Sequence, residues 1–390
     1  MRILVTSTPG TGHLNALLPL ASAMQLSGHD VLVVTGPESC ESVARRGFAV
    51  RAGGMTGDAR RAAYGPRMAE TLALPPRGRR GMFFAGFFAE IAAPVMRVDL
   101  RPVFDEFRPD VVISERGELA AGAMAAGRGI PRVTVAFSGA LPRWSEQLVI
   151  DTLEPLWAAE GLPTPTIAQI NGDLYLHPFP PSFGQAPTSG NVRPMGAPAA
   201  GDGDAPPPWL GELGTARPLV YVTAGTEPAA ADMFPWAAAV AVLGTLDVDV
   251  IATVGPRVDP AFLGVVSPNI HIERFVPQNF ILEKAAVLVS HAGAGSILGA
   301  AAHGIPQLLF PVRADQWENA DAASGAGVAI TLELDQRSEG DIAAAVERAL
   351  TDQQVKHAAA HVATEIAAMP FPADHVATIE GLGSGASSGG

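Results

Sequence analysis

Short apolar runs alternate with alanine-rich stretches along almost the whole chain, and this alternation restricts the possible folds more than any other feature. The first half contains RILVTS, VLVVTG, DVVISE, RVTVAF and the run around DLYLHP, and the second half contains LVYVTAG, DVIATVG, IHIERFV, AVLVSHAG, PQLLFPV and GVAITLE. Such uniformly apolar runs are typical of strands covered on both faces of a parallel sheet, with helices as crossover connections. We therefore predict an α/β protein built from repeated βαβ units.

The alternation is interrupted once, near the middle of the chain. The segment PMGAPAAGDGDAPPPWLGELGTARP is rich in proline, glycine and aspartate, as interdomain linkers are. The 390 residues also exceed what one hydrophobic core usually serves. We predict a first domain over 1–197, a linker over 198–217, and a second domain over 218–370. Residues 371–390 are expected to pack back on the first domain and to end in a flexible Gly/Ser tail.

Composition excludes several classes of protein. The formal net charge of −13 argues against a groove for a nucleic-acid backbone. One cysteine, Cys40, excludes a disulfide framework, a cysteine-rich zinc module and an iron–sulfur cluster, and it favours a reducing compartment. The apolar N-terminal run stops at Pro9, too early for a signal-peptide core. We expect a cytoplasmic protein with no nucleic-acid partner.

The seven arginines from Arg51 to Arg80 are interpreted as solvated faces.

One long stretch, from Ala285 to Val312, contains no Asp, Glu, Lys or Arg. Its length could suggest a membrane span, but its glycines, two prolines and two histidines argue against one. Instead, SHAGAGS joins a strand to a helix, where small residues and N–H groups at the helix N-terminus can bind a phosphate without a cation. Thr226, in the turn after LVYVT, could add a hydroxyl. The alternative is a plain strand–helix connection at each turn.

The first strand ends in TSTPGTGHLN, a glycine-rich turn that leads into a helix. It is not a dinucleotide fingerprint, because Asn15 occupies the third glycine position and no acid follows the second strand. His13 stands at the helix start, where the helix dipole disfavours imidazolium and a neutral ring can accept a proton. Glu115 and Glu118, which follow DVVIS, are candidates to orient it. A purely structural histidine is the alternative.

Four phenylalanines and one tryptophan suggest an apolar wall in the first domain. They are Phe83, Phe84, Phe87, Phe88 and Trp144. The four phenylalanines share one helical face, which is consistent either with core packing or with a pocket for a bulky apolar ligand.

Metal sites are not predicted. The pairs Asp202/Asp204 and Asp247/Asp249 have D-x-D spacing, but one pair lies in the linker and the other directly before a buried strand. The histidines show no zinc-binding spacing.

Taken together, FVPQNFILEKAAVLVSHAGAGSILGAAAHGIPQLLFPVRADQWENADAA resembles the donor-binding segment of the family 1 nucleotide-sugar glycosyltransferases of the GT-B fold. The N-terminal GTGHLNALLPLASAMQLSGHDVLVVTG is similar to the opening of that family's acceptor domain. The Ala/Gly/Pro-rich composition resembles its bacterial antibiotic-tailoring branch. The resemblance implies two doubly wound, Rossmann-like parallel-sheet domains that face each other across a cleft.

The resemblance also implies roles for individual positions. In the Phe275–Gln278 segment, the ring of Phe275 would stack on a pyrimidine and the main chain of Val276 would pair with its edge. His13 would be the general base, and no metal would be needed. Diphosphate and sugar would be held by His291, by the N–H groups of Gly293, Gly295 and Ser296, and by Asp315 and Gln316.

Three positions depart from the family pattern. Phe275 replaces a tryptophan of the plant relatives, so its stacking area is smaller. Gly299 replaces their ribose-binding glutamate, so a thymidine diphosphate donor, which lacks the 2'-hydroxyl, is favoured over a uridine one. Glu115 stands where an aspartate is usual, and its extra methylene keeps Glu118 in reserve as the partner of His13.

We therefore expect an inverting glycosyltransferase that moves a (deoxy)sugar to a hydroxyl of a hydrophobic natural-product aglycone, without a cofactor. Two alternatives stay open: a nucleotide-sugar epimerase of the same fold and a non-catalytic partner protein. A homodimer is also left open.

Overall fold

The structure is a computed structural model that describes residues 1–196, 206–226, 232–264 and 266–387. Two compact units emerge from it. Unit 1 comprises the described residues of Met1–Pro178, Ala186–Pro198 and Pro370–Gly390. Unit 2 comprises those of Phe179–Gln185 and Ala199–Met369. Each unit is an α/β structure around its own parallel sheet.

Unit 1 is built on a sheet of seven described strands. They are β1 (Arg2–Thr6), β2 (Asp30–Thr35), β3 (Ala49–Ala52), β4 (Val111–Glu115), β5 (Arg132–Val135), β6 (Leu174–His177) and β7 (Val192–Pro194). Their spatial order is β3-β2-β1-β4-β5-β6-β7, and all neighbours run parallel. The α-helices between them are α1 (Thr11–Leu26), α2 (Pro37–Arg45), α3 (Gly57–Ala73), α4 (Arg79–Phe83), α5 (Ala93–Phe107), α6 (Ala120–Ala126), α7 (Glu146–Ala158) and α8 (Ile167–Asn171).

Unit 2 repeats this plan with six described strands. They are β8 (Leu219–Thr223), β9 (Asp249–Thr253), β10 (Ile270–Glu273), β11 (Ala285–Ser290), β12 (Gln307–Leu309) and β13 (Ala329–Thr331), in the order β10-β9-β8-β11-β12-β13. Its described α-helices are α9 (Trp236–Leu243), α10 (Gln278–Leu282), α11 (Ala294–Ala302), α12 (Gln316–Gly325), α13 (Glu339–Thr351) and α14 (Gln353–Ala367). The chain then returns to unit 1 with α15 (Val376–Ser387).

The predicted parallel α/β architecture is confirmed, and all eleven predicted apolar runs form strands. The sequence analysis missed β3 and β7. Both lie at the edges of the unit 1 sheet, and most of their residues are exposed or half-buried. β3 and β7 each have one neighbour, are only three or four residues long and have no buried residue, so neither carries an apolar run that a pattern search can find.

The structure divides the chain differently from the expected boundaries in two places. Phe179 and Phe183 belong to unit 2, where both are buried in an apolar cluster with Ile297 and Leu309. The described end of the expected linker is also ordered in unit 2, because Leu210 is buried beside Leu219. Residues 197–205 lie outside the described residues.

The C-terminal segment also differs from expectation. Residues 381–387 belong to α15, although their composition predicts a flexible tail. Ile379 is fully buried against the unit 1 sheet and Leu382 packs beside it, so apolar contact favours a helix there. The last three residues lie outside the described residues.

The uncharged stretch from Ala285 to Val312 is not one helix, since it forms β11, α11 and β12. A different run, Pro76–Phe107, is long and apolar enough to cross a membrane by length and composition alone. Of its most apolar window, 56 % is buried inside the structure. Within this run, Phe84–Ala92 forms a π-helix, so the phenylalanines do not follow the α-helical period that the sequence analysis assumed.

Two alanines of unit 2 adopt left-handed backbone conformations. The φ angles are 66° at Ala292 and 53° at Ala314. A side chain in this region usually costs about 1–2 kcal/mol relative to the right-handed region. Both residues flank predicted donor-site positions, His291 and Asp315, so backbone strain is concentrated around the predicted site.

Replacing Ala314 by glycine should stabilise unit 2 by about 0.5–1 kcal/mol, because glycine adopts φ near +53° without steric cost and the exposed methyl contributes little packing. Urea unfolding monitored by fluorescence and circular dichroism measures the change. Ala344→Gly, at an exposed position inside α13 of the same unit, is the matched control and should destabilise by about 1 kcal/mol. If both variants are destabilised alike, the strain assignment is wrong.

Candidate functional site

A histidine and a buried carboxylate meet at the carboxyl edge of the unit 1 sheet. β1 lies beside β4 with Thr6 opposite Ser114, so the turn after β1 reaches the residue that ends β4. His13, in the first turn of α1, places Nδ1 3.0 Å from Glu115 Oε1. The His13 ring stacks on Phe137 with centroids 3.9 Å apart, and 17 % of its side chain is exposed. Glu115 and Phe137 therefore orient the ring, and part of it is accessible to solvent.

Glu115 is fully buried and accepts several hydrogen bonds. Thr8 donates both its main-chain N–H, at 2.9 Å, and its hydroxyl, at 2.6 Å, to Oε1. The N–H of Gly117 donates to Oε2. Burial alone would raise the pKa of Glu115, but the neighbouring His13 and these hydrogen bonds outweigh burial and hold that pKa below its ordinary value. The carboxylate is thus ionised at neutral pH.

Glu118 contacts β1 and the start of α6, whereas Glu115 contacts His13. Its Oε2 accepts the Thr6 hydroxyl at 2.6 Å, and its Oε1 accepts the N–H of Ala120 at 2.9 Å at the start of α6. Burial raises the pKa of Glu118 to about 7 despite these bonds. Of the two glutamates proposed from the sequence, Glu115 is the one whose described contacts include His13.

The predicted apolar wall is largely core, with two members directed at the site. Phe83 and Phe87 stack on each other with centroids 4.5 Å apart, within a cluster that buries Phe87. Phe88 lies 5.7 Å from the His13 ring. Phe84 lines a cavity of about 210 Å³ in unit 1. Trp144 does not line this cavity and is 52 % exposed.

That cavity lies beside Glu115. Its apolar lining includes Phe84, Leu119, Leu141 and Trp157, and its polar lining includes Glu118. Every lining residue belongs to unit 1. Arg116, Arg132, Arg143 and Glu146 also line it, so the cavity offers a partly apolar, partly charged space next to the carboxylate that contacts His13.

Two arginines that were interpreted as part of a solvated face are buried in unit 1. The guanidinium of Arg60 donates to the carbonyl of Pro9 at 3.1 Å and lies 4.2 Å from the centre of the Phe87 ring. Arg80 donates to the carbonyl of Ala140 at 2.9 Å. The interpretation was wrong for these two residues, because each packs its charge against main-chain carbonyl groups.

In unit 2, His291 follows β11 and lies between two glycines. A Cβ atom at Gly225 would come within 2.7 Å of the ring, and one at Gly293 within 2.5 Å. Only glycine leaves room for the ring at these positions. Burial lowers the pKa of His291 to about 4, although the charge of Asp315 acts in the opposite direction. The ring is therefore neutral at pH 7.

The helix after His291 begins with Gly293 as its N-cap. Gly295 lies in the first turn, whose N–H groups have no acceptor within the helix. The N–H of Ser296 differs, because it donates to the carbonyl of Gly293 at 3.0 Å. Ser296 is buried, whereas Thr226 at the end of the turn after β8 is exposed.

The predicted base-binding segment forms the turn before α10. The side chain of Phe275 is 54 % exposed and Val276 is buried. Gln278 donates from Nε2 to the carbonyl of Gly295 at 3.1 Å. A Cβ atom at Gly299 would come within 2.9 Å of the same Nε2 atom. The amide of Gln278 thus occupies the space next to the missing side chain at Gly299.

The predicted sugar-binding pair lies at the start of α12. Asp315 is the N-cap and accepts a hydrogen bond from the Asn319 amide at 3.1 Å. The same amide donates to the carbonyl of Ala292 at 3.2 Å and so connects the two loops. Gln316 is buried, and its Oε1 accepts the N–H groups of Val312 and Arg313, each at 2.9 Å. The oxygen of the Gln316 amide is therefore already bonded to the main chain.

Three contributors escaped the sequence analysis: Thr8, Gly225 and Asn319. Thr8 and Gly225 each lie in a turn that was singled out, but their contacts depend on a neighbouring strand. Asn319 is one turn along α12 from Asp315, a spacing that could have indicated the contact.

Metal-binding clusters do not occur among the described residues: no group of three His, Cys, Asp or Glu side chains is placed to hold an ion. Asp249 accepts hydrogen bonds from Arg217 and from the N–H of Gly214. Asp202 and Asp204 lie outside the described residues.

Glu118→Gln should remove a pH-dependent loss of stability. Below about pH 4.5 the Glu118 carboxyl is protonated in both folded and unfolded chains, whereas above pH 7 the folded state carries a buried charge. The advantage of the variant over the wild type in unfolding free energy should therefore grow by about 3 kcal/mol between pH 4.5 and 8. Urea unfolding at several pH values tests this. Glu154→Gln, at an exposed position, is the control. A pH-independent difference for Glu118→Gln would contradict the assignment.

Comparison with known proteins finds relatives in sequence and in structure. The family described as erythromycin biosynthesis protein CIII-like, C-terminal domain, matches residues 237–382. The chain is 30 % identical to 4'-demethylrebeccamycin synthase of Lentzea aerocolonigenes, over 98 % of this chain and 99 % of the relative. It is 30 % identical to L-demethylnoviosyl transferase of Streptomyces niveus, over 96 % of each chain.

Among solved structures, a spinosyn rhamnosyltransferase complexed with thymidine diphosphate superposes with a TM-score of 0.79 at 26 % identity, over 97 % of this chain and all of the other. Full-length coverage together with 30 % identity extends the likeness to both units. The chain belongs to the GT-B glycosyltransferases of antibiotic and natural-product biosynthesis.

Proposed function

We propose that this glycosyltransferase inverts the anomeric centre as it moves a sugar from a thymidine diphosphate donor to a hydroxyl of a hydrophobic aglycone. The contact between His13 and the buried Glu115 carboxylate is the observation that carries the proposal. A histidine whose one ring nitrogen faces a carboxylate is arranged to accept a proton at its other nitrogen. None of the described residues hydrogen-bonds to Nε2 of His13.

In the proposed step, His13 Nε2 takes the proton of the acceptor hydroxyl. The hydroxyl oxygen forms a bond to the anomeric carbon, and the bond between that carbon and the diphosphate oxygen breaks with its electron pair on the diphosphate. Glu115 stabilises the imidazolium that results. Because attack and departure occur on opposite faces, the configuration at the anomeric carbon inverts.

The departing diphosphate is proposed to bind at the turn after β11. His291, neutral at pH 7, can donate an N–H, and the first turn of α11 adds main-chain donors. We propose that these donors stabilise the leaving group without a metal ion. Chelator treatment should then leave turnover unchanged.

Asp315 and the Gln316 amide are proposed to bind the sugar, and Phe275 is proposed to bind the base.

The acceptor is proposed to occupy the cavity beside Glu115. Phe84, Leu119 and Trp157 supply apolar contact there, and Phe88 borders the His13 ring. A volume of about 210 Å³ fits one apolar ring system of the acceptor, and not the whole of a bulky aglycone. The single free cysteine, Cys40, supports a cytoplasmic enzyme.

His13→Ala and His13→Gln should lower kcat by about 10²–10⁴-fold, since both variants lose the base. Binding of thymidine diphosphate should change little, because the proposed nucleotide contacts are all in unit 2. Transfer is measured by mass spectrometry with a panel of aglycones, and binding by calorimetry. His361→Gln, at a site 71 % exposed, is the matched control and should retain full activity. Unimpaired transfer by both His13 variants would refute the role.

Donor preference should depend on the ribose 2'-hydroxyl. Gly299 offers no carboxylate to this group, and the Gln278 amide lies beside the position. Calorimetry should show thymidine diphosphate binding on the order of tenfold more tightly than uridine diphosphate. This ratio corresponds to the free energy of about one polar group left without a hydrogen bond. Deoxyuridine diphosphate lacks both the 2'-hydroxyl and the base methyl group, so its affinity shows which of the two causes the preference. If it binds as weakly as uridine diphosphate, the preference arises from the methyl group instead.

A further inference from the structure

Thr8 lies between the two partners of the proposed catalytic pair. It is in the turn between β1 and α1, and it is 6 % exposed. Its hydroxyl oxygen is 2.6 Å from Glu115 Oε1 and 3.0 Å from His13 Nδ1. One hydroxyl group therefore contacts both the carboxylate and the imidazole.

The direction of these hydrogen bonds follows from counting donors. The Thr8 hydroxyl has one hydrogen, and the 2.6 Å contact gives that hydrogen to Glu115. Its oxygen then offers only lone pairs to His13 Nδ1. Glu115 Oε1 also offers only lone pairs to that nitrogen, at 3.0 Å. Two acceptors around Nδ1 require that Nδ1 carries a hydrogen, so a neutral ring has its lone pair on Nε2.

Thr8 also holds the carboxylate itself. Its main-chain N–H and its hydroxyl both donate to Oε1, while Gly117 donates to Oε2. A glutamate side chain has one more rotatable bond than an aspartate, and these donors restrict that freedom. The two donors from Thr8 fix the oxygen atom that faces the imidazole.

We propose that Thr8 is a positioning residue for glycosyl transfer, whose hydroxyl fixes Glu115 and holds His13 in the Nδ1–H tautomer with Nε2 free to accept a proton. This inference rests on the proposed role of His13 as the base. It adds a third member to the pair, acting through Glu115 and His13 and not on the substrate.

The chain provides a closely matched control for the loss of this hydroxyl. Thr6, two residues earlier, is also buried and donates its hydroxyl to a buried glutamate, Glu118, at the same 2.6 Å. Valine has the shape of threonine without the hydroxyl, so Thr8→Val and Thr6→Val remove the same kind of hydrogen bond. Only Thr8 contacts His13 among the described hydrogen bonds of these two threonines.

Thr8→Val should lower kcat by about ten- to a hundredfold with little change in the KM of the donor, because a misplaced base slows the chemical step. Thr8→Ser keeps the hydroxyl and should stay within about threefold of the wild type. Thr6→Val should keep the wild-type kcat. The inference fails if Thr8→Val turns over normally, if serine does not rescue, or if Thr6→Val is equally slow.

A spectroscopic measurement tests the tautomer without turnover. In protein labelled with ¹⁵N-histidine, the His13 signals are assigned by their loss in His13→Gln. The wild type and Thr8→Ser should show a protonated Nδ1 at a pH where the ring is neutral, and Thr8→Val should show a mixture of tautomers. An unchanged Nδ1–H tautomer in Thr8→Val would overturn the inference even if the activity falls.

The two hypotheses can fail separately. If His13→Gln retains activity, the proposed base is wrong, whatever the tautomer shows. If His13→Gln is inactive while Thr8→Val behaves as the wild type, only the role of Thr8 is wrong. Should Thr8→Val unfold, Thr8→Ala combined with Glu115→Gln replaces it: non-additive losses support action through Glu115, and additive losses contradict it.

Discussion

A carboxylate with no exposed surface, Glu115, joins the first turn of unit 1 to the end of β4. An ionised group in this position is costly unless hydrogen bonds replace its water. Thr8 and Gly117 supply those bonds, and the parallel pairing of β1 with β4 brings Thr8 within reach of Glu115. The position of His13 depends on this arrangement, because its ring is held between the carboxylate and Phe137. The sheet topology thus determines the geometry of the pair.

The diphosphate proposed to bind in unit 2 is also an anion, and the donors proposed there include no cation. His291 is buried and neutral, and glycines make room for its ring on two sides. A neutral donor and helix-terminal N–H groups can bind an anion without the desolvation cost of burying a lysine. This explains why a stretch from Ala285 to Val312 without any charged residue can still be a phosphate-binding segment. It also explains why composition alone suggests a membrane span there.

Much of the fold could be predicted because buried parallel strands leave a strong apolar pattern. The carboxyl-edge location of His13, Glu115 and His291 followed from the same pattern, since ligands bind at that edge of such sheets. The resemblance favoured Glu115 as the partner of His13, but the local sequence could not exclude Glu118, which was kept in reserve. The two residues are three apart in the chain, and only the turn between them decides which one faces His13 and which one caps α6.

The features that escaped prediction depend on partners far away in the chain. The local sequence around Arg60 and Arg80 predicts solvent-exposed charges, because the carbonyl groups that accept their hydrogen bonds are distant in the chain. The α15 helix has a composition typical of a tail and is held by apolar contact with the unit 1 sheet. Such contacts produce no pattern in the neighbouring sequence, so they cannot be predicted from a few residues.

The π-helix at Phe84–Ala92 gives unit 1 a way to change the lining of its cavity. Each turn of a π-helix holds more residues than a turn of α-helix, so removing one residue restores α-helical bonding and redirects side chains within the segment. Such a deletion would move Phe84 and Phe88 to different directions, yet it would keep both flanking helices. The direction of Phe88, which lies beside the His13 ring, can therefore be altered by a change of length in this helix as well as by substitution.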